Sequence, residues 1–367
     1  MRKIAAMLVL GCFVWSFPLH VQAMDLSASS AVLMDAGTGR VLYERNAHEP
    51  RMIASITKLM TALVAVESGH SGEEIVTIQP EWTGIEGSSL YLKAGEKYRL
   101  ETLLYGLLLQ SGNDAAESIA GYCGGAVSEF VEQMNQKAES LGMVNSHFSN
   151  PSGLTQEQHY SSAYDMALLA QKCLKNELLT KITATRSIAL EGKHFTNHNK
   201  LLWRYDGCIG LKTGYTEKAG RTLVSAARRD DLTLICVTLN ASDDWNDHQK
   251  LLDYGFECYS ATKAYTAEEV VGFLPVEGSL YPVCPVYAEN DCFIATAQGE
   301  KLVKTIELDI SRLTAPFECD IPVGYAVCTL NGREVCRTKL LTGIKGERDR
   351  IENHRPLEYL KNLCRGW

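Results

Sequence analysis

Three short clusters in this 367-residue chain carry side chains able to do covalent chemistry together: Ser55-Ile56-Thr57-Lys58, Ser111-Gly112-Asn113, and Lys212-Thr213-Gly214 followed by Tyr215. A serine hydroxyl is a poor nucleophile until a base lies within hydrogen-bond reach. Residues three apart share one face of a helix, so Lys58 can lie beside Ser55. Burial and a neighbouring cation both disfavour the ammonium form, which turns a lysine into a usable base. Each cluster also has a plainer reading. Ser55 could cap a helix, Ser111-Gly112-Asn113 could be a turn, and Lys212 could be a solvated charge guarding a strand edge. Ser260-Ala261-Thr262-Lys263 repeats the first spacing without an apolar helix behind it, so the pattern arises by chance as well.

Other chemistries find less support. No Gly-x-Ser-x-Gly nucleophile elbow occurs, although His48 and His159 are present. His194 and His198 have the spacing of metal ligands on a helix, but the surrounding Gly192-to-Asn199 stretch is polar and does not read as helical. No metal or organic cofactor is expected.

The elements that must hold these clusters follow from periodicity. Ala31 to Met34 and Arg40 to Glu44 flank a Gly-containing turn and read as a hairpin. Ala54 to Glu67 is apolar nearly all round, which predicts a central, buried helix behind Ser55. Leu100 to Leu109, Asp114 to Tyr122, Val127 to Leu141 and Tyr164 to Leu174 read as further helices, Val76 to Ile78 as a short strand, and Asn150-Pro151-Ser152-Gly153 as a turn. Thr222 to Ala227 and Leu232 to Asn240 read as strands and His248 to Tyr254 as a helix. Strands at both ends with helices between them predict an α+β domain built on an antiparallel sheet. Beyond about Thr266 short β-type runs alternate with turns, and Asn331-Gly332 between two such runs is a hairpin signal. The expected organisation is an export signal over 1–23, a catalytic domain over 24–265, a smaller all-β domain over 266–350 and a short amphipathic terminal helix over 351–367.

The export reading rests on Met1-Arg2-Lys3, the apolar run Ile4 to Phe17, and small residues around Ala23. Leu357, Leu360, Leu363 or Cys364, and Trp367 fall on one helical face, which fits either a contact with the membrane surface or docking on the β domain. The net charge of −8 and the lack of a basic block argue against a nucleic-acid partner. The twelve cysteines include no Cys-x-x-Cys pair, and their pairing is not legible from spacing.

Ser-x-x-Lys, Ser-x-Asn and Lys-Thr-Gly in this order resemble the motifs of penicillin-binding proteins and class A β-lactamases. The likeness is wider than the motifs. Ala31 to Asp35 with Gly39 to Tyr43, Ala54 to Thr61, Ser111 to Ala116, Asn150 to Leu154 and His159 to Ala163 are similar to the low-molecular-mass penicillin-binding proteins, the serine D-Ala-D-Ala carboxypeptidases. That resemblance implies a β-lactamase-like transpeptidase fold. It implies Ser55 as the acylated nucleophile, Lys58 as its proton acceptor and Ser111 as a relay to the leaving D-alanine. Asn113 would hold the peptide amide, Lys212, Thr213 and Gly214 the terminal carboxylate, and the N–H groups of Ser55 and Tyr215 the oxyanion. The implied partners are stem peptides ending in D-Ala-D-Ala and β-lactams, met outside the cytoplasm. A β-lactamase is the nearest alternative, but Glu157-Gln158-His159-Tyr160 lacks that class's Glu-x-x-Leu-Asn pattern. An inactive wall-binding scaffold is the alternative of another class.

Overall fold

A computed structural model describes residues 24–267, 269–344 and 346. The expected export signal and the expected terminal helix lie outside the described residues.

The chain opens with β1 (Ser30–Asp35) and β2 (Val41–Arg45), then a 3-10 turn over Ala54–Thr57 that runs directly into α1 (Lys58–Glu67). A β3 (Ile75–Thr77) and β4 (Lys97–Arg99) pair leads into a helical block. The block comprises α2 (Leu100–Leu109), α3 (Asn113–Gly124), α4 (Val127–Ser140), α5 (Ala163–Leu174) and α6 (Glu177–Ala184). A small hairpin, β5 (Ser187–Leu190) and β6 (Lys193–Thr196), and a short α7 (Leu201–Arg204) precede three long strands and a helix. These are β7 (Cys208–Thr216), β8 (Gly220–Arg229), β9 (Leu232–Ala241) and α8 (Asp244–Cys258).

The main sheet is antiparallel with strand order β2-β1-β9-β8-β7, so the two ends of the segment meet at its centre and β7 is left as an edge. Its inner strands β1, β8 and β9 are buried on both faces because both are covered. Along β9, Leu234 and Cys236 pack toward Leu251 and Leu252 of α8, whereas Ile235, Val237 and Leu239 join the core shared with the helical block. Helix α1 is the centre of that block: its residues 58 to 65 are all buried, as its apolar sequence predicts. Helix α6 and the β5–β6 hairpin, which sequence periodicity left unread, pack against the same core through Leu179, Ile182 and Phe195.

Beyond α8 the described chain is all strand: β10 (Tyr259–Tyr265), β11 (Val270–Glu277), β12 (Val283–Ala288), β13 (Cys292–Ala297), β14 (Leu302–Leu308), β15 (Leu313–Thr314), β16 (Pro322–Leu330) and β17 (Arg333–Thr342). Six of them form a sheet in the order β14-β16-β17-β12-β11-β15, while β10 and β13 make a separate two-stranded ribbon. The Asn331-Gly332 turn joins β16 to β17, with Asn331 at φ +51° and Gly332 at φ +78°, the left-handed pair that such a hairpin demands. The ribbon is held against the main sheet by Asp35, which accepts from Ala295 N (3.2 Å), and by Arg40, which is paired with Glu300 at 2.7 Å. A disulfide joins Cys292 to Cys336 and so ties the ribbon to the six-stranded sheet. Ser260 and Lys263 of the second Ser-x-x-Lys lie on β10. Side chains three apart on a strand point to opposite faces, which leaves that pair structural.

Candidate active site

The 3-10 turn solves the first geometric problem. With three residues per turn, positions i and i+3 eclipse, so Lys58 stands directly below Ser55. Lys58 Nζ lies 3.0 Å from Ser55 Oγ. It also lies 2.7 Å from Asn113 Oδ1 and 2.5 Å from the carbonyl oxygen of Ser152, both of which can only accept. A neutral amine has two N–H bonds and one lone pair. The two carbonyls take the hydrogens, and the lone pair is left for the hydroxyl proton of Ser55. Ser55 does not cap the helix: no side-chain cap bond is made at the start of either the 3-10 turn or α1.

The surroundings of the amine favour its neutral form. Burial is the largest influence and pushes the Lys58 pKa well below that of a free lysine, and the nearby Lys212 pushes it further; Glu117 and Asp114 pull the other way. Lys212 is itself buried on β7, where burial lowers its pKa to about 7. Among the described residues its ammonium nitrogen bonds only to the Thr213 carbonyl, 2.9 Å away. It is therefore no solvated edge charge, the plainer reading of its position. Thr213 and Gly214 follow half-buried, and Tyr215 is 65% exposed. The β7 backbone runs close against the nucleophile, since a Cβ on Gly214 would come within 2.9 Å of Ser55 N.

The walls of the cleft are fixed by bonds that the motifs do not announce. Asn113 Nδ2 donates to the Glu86 carbonyl (2.5 Å), which orients its amide so that the oxygen faces Lys58. Asp114 accepts from Leu90 N, Leu92 N and Ser89 Oγ at 2.7–3.1 Å and so anchors the 88–92 loop. Asn150 Oδ1 accepts from Ser152 N and Gly153 N, shaping the turn that brings the Ser152 carbonyl to Lys58. Thr222 Oγ1 donates to Ile53 O (2.9 Å), linking β8 to the segment ahead of Ser55.

Two non-glycine residues in the left-handed region flank the chemistry: Ala54 at φ +50° and Ser111 at φ +64°. Such conformations persist only where the surroundings over-determine them. For Ala54 the clamp is visible. Thr57 Oγ1 donates to Ala54 O at 2.8 Å. His159 Nδ1 accepts from Ser149 N (3.1 Å), so its Nε2 carries the hydrogen and donates to Thr57 Oγ1 at 2.7 Å. Burial lowers the His159 pKa to about 4, which keeps the ring neutral. This histidine thus supports the turn that carries the serine and is not its base. Ser111 Oγ is buried and has no hydrogen-bond partner among the described residues, so the structure brings Ser111 into the motif's turn without bonding it to Ser55 or Lys58. His194 is a β6 residue paired with Ala189, and among the described residues no cluster of metal-ligating side chains occurs.

A hydroxyl 3.0 Å from a buried amine, with a second buried amine on the strand edge opposite, is an arrangement that can support acyl transfer through a serine ester. The chain belongs to the D-alanyl-D-alanine carboxypeptidase family, whose model matches residues 18–243. It is 34% identical over 320 residues to D-alanyl-D-alanine carboxypeptidase DacF of Bacillus subtilis, covering 83% of this chain and 82% of that one. Among solved structures it is similar to penicillin-binding protein 5 of Haemophilus influenzae, with a TM-score of 0.74 at 28% identity, over 89% of this chain and 100% of the other. It is also similar to a peptidoglycan synthesis regulatory factor of Streptococcus pneumoniae, with a TM-score of 0.78 at 25% identity, over 88% of this chain and 100% of that one. These likenesses extend over the β-rich tail as well as the helical block.

Proposed function

We propose that this protein removes the terminal D-alanine from peptidoglycan stem peptides through an ester on Ser55. The observation that carries the reading is the buried Lys58 amine, bonded to two carbonyl oxygens and 3.0 Å from Ser55 Oγ. Lys58 takes the hydroxyl proton as the oxygen attacks the carbonyl of the penultimate residue. The N–H groups of Ser55 and Tyr215 receive the developing oxyanion, a contribution of about 2.7–4 kcal/mol per donor in comparable enzymes. Ser111, with an uncommitted hydroxyl, passes a proton to the departing D-alanine. Lys212 and Thr213 bind the terminal carboxylate, and Asn113 and the β7 edge hold the peptide by its amides. Water then frees the shortened peptide.

A β-lactam enters the same site and stays. Glu157 is exposed, and the buried side chain of that segment, His159, is spent on Thr57. No carboxylate there is set to activate water, so hydrolysis of the drug ester is slow. The basic and apolar start of the chain supports export, and the 351–367 segment a contact with the outer face of the membrane. We read 24–265 as the catalytic domain and the rest of the strand-rich chain as its companion.

The test is release of D-alanine from diacetyl-Lys-D-Ala-D-Ala. Ser55→Ala is expected to abolish it and to abolish attachment of labelled penicillin; release that survives the substitution would place the nucleophile elsewhere.

A further inference from the structure

Residues 58 to 65 of α1 are all buried, and only two of them are polar, Lys58 and Thr61. Lys58 has a task in the proposed reaction, and Thr61 so far has none. A threonine inside a helix commonly turns its hydroxyl back on the carbonyl four residues earlier. Thr61 does otherwise: its Oγ1 donates to the Pro151 carbonyl at 2.6 Å, across 90 positions of sequence. Thr61, Pro151 and Ser152 are all buried, which keeps bulk water from taking the place of the hydroxyl.

The carbonyl that Thr61 holds is next in the chain to the one that Lys58 uses. Ser152 O accepts from Lys58 Nζ at 2.5 Å, so successive carbonyls of one turn are taken by side chains three apart on one helix face. The following residue, Gly153, stands against the Ala54 carbonyl, where a Cβ would come within 2.0 Å. The turn therefore lies along the start of α1, with Pro151 at Thr61, Ser152 at Lys58 and Gly153 at Ala54. Asn150 sets the internal shape of the turn. Its Oδ1 accepts from Ser152 N (3.2 Å), Ser152 Oγ (3.1 Å) and Gly153 N (2.7 Å), and its Nδ2 donates to Leu154 O at 2.9 Å. Those bonds stay within the turn and do not fix where it sits on the helix. Among the described residues, Thr61 Oγ1 and Lys58 Nζ make the only side-chain hydrogen bonds from α1 to it.

We propose that Thr61 is a positioning residue for the base: by holding the Pro151 carbonyl it fixes the turn on α1, and so sets the Ser152 carbonyl where it orients the Lys58 amine toward Ser55. Thr61 moves no proton. The proton passes from Ser55 Oγ to Lys58 Nζ, and Ser152 O accepts an N–H of that nitrogen before and after the transfer, more strongly once the nitrogen is charged. The charged or titratable groups that act on Lys58 are Lys212 from β7, Asp114 and Glu117 from α3, and His159 from the 150s loop. None of them bonds to Thr61, so a substitution there leaves all four in place.

This inference rests on the acyl-Ser55 reading, and the experiment separates the two. The second-order rate of Ser55 acylation by labelled penicillin is measured against pH for wild type, Thr61→Val, Thr61→Ser and Thr61→Ala. Valine keeps the shape and removes the hydroxyl, whereas serine and alanine differ by the oxygen alone. With the turn released, Thr61→Val is expected to lower the plateau rate about ten- to a hundredfold as the amine loses its aim. The ammonium also loses an acceptor and gives up its proton at lower pH, which moves the acid limb down by about one pH unit. Thr61→Ser is expected to stay close to wild type in both respects, and Thr61→Ala to follow valine. The label bound at completion counts the folded sites, so partial folding lowers that amplitude and not the rate constant. If valine leaves too little folded protein to label, the serine and alanine variants decide. Matching profiles for serine and alanine would overturn the inference, as would a rate that falls with the acid limb unmoved, which marks a role in packing alone. Failure of wild type to acylate at all would strike the underlying reading instead.

Discussion

At the scale of single residues, the position of Ser55 depends on a neighbour that has no side chain. Gly153 lies at φ +84°, and a Cβ there would stand 2.0 Å from the Ala54 carbonyl oxygen. Both the conformation and the contact exclude alanine, so Gly153→Ala must push the 3-10 turn aside. Displacements of about 1 Å cost roughly a hundredfold in rate. Gly153→Ala is therefore expected to lose at least that much in penicillin acylation while the far-UV circular dichroism stays close to wild type; an unchanged acylation rate would contradict the geometry. The turn around Gly153 is legible in the sequence as Asn-Pro-Ser-Gly. Its purpose is not, because a backbone carbonyl acting on a lysine leaves no mark on side-chain identity. Ser55, Lys58 and Asn113 are legible because the proposed chemistry calls for those side-chain types at that spacing. Thr57 and His159 become legible only when the fold brings them together across 102 positions of sequence.

At the scale of elements, β7 works against the stability of the sheet it belongs to. Lys212 is fully enclosed and offsets the loss of water with one hydrogen bond. Its pKa of about 7, against 10.5 for a free lysine, means that the unfolded chain binds more protons between those values. Stability contributed by this position thus rises as pH climbs from about 7 toward 10.5. Lys212→Met removes that slope and is expected to stabilise the fold at neutral pH by about 1–4 kcal/mol, while abolishing D-alanine release. Urea titrations at pH 7 and 9.5 measure both effects, and a variant less stable than wild type at pH 7 would refute the argument. The sequence shows a lysine on an apparent strand. It does not show that the strand edge is roofed by the 3-10 turn, which is a matter of topology. The same limit applies to α6 and the β5–β6 hairpin, whose short, mixed patterns give weak periodicity and whose apolar residues are fixed only by the core they meet. The long apolar runs of α1, α2 and β9 are legible because burial of nearly every position leaves a signal independent of register.

At the scale of the whole molecule, two buried histidines set the acid limit. His159 is held to about 4 and His248 to about 3, chiefly by burial, with His248 bracketed by the hydroxyls of Ser225 and Thr238 at 2.6 and 2.9 Å. Both are neutral in the fold and protonate near pH 6.5 once unfolded. Stability is unaffected by them above that value and falls below it, by about 1.4 kcal/mol per pH unit for each. His248→Gln is expected to reduce the steepness of the decline between pH 6 and 4.5 in urea unfolding; an unaltered slope would show that the ring does not titrate as its burial demands. The strand-rich end has its own fastening in Cys292–Cys336, which closes a sequence separation of 44. Cys292→Ser is expected to cost that end about 2–4 kcal/mol, seen as an earlier first transition on heating, with D-alanine release unaltered. Irregular cysteine spacing conceals this pairing, since the two thiols are brought together by sheet order alone.

The close packing around the start of α1 has a bearing on drug resistance. Ser55, the proposed nucleophile, sits on a 3-10 turn that runs directly into the buried start of α1 and stands against Gly153 and β7, so a variant that still processes its peptide has little room to escape an antibiotic by relocating it. Selection is left with the periphery of the cleft: the loop pinned by Asp114, the exposed Tyr215, and the outer rim of β7.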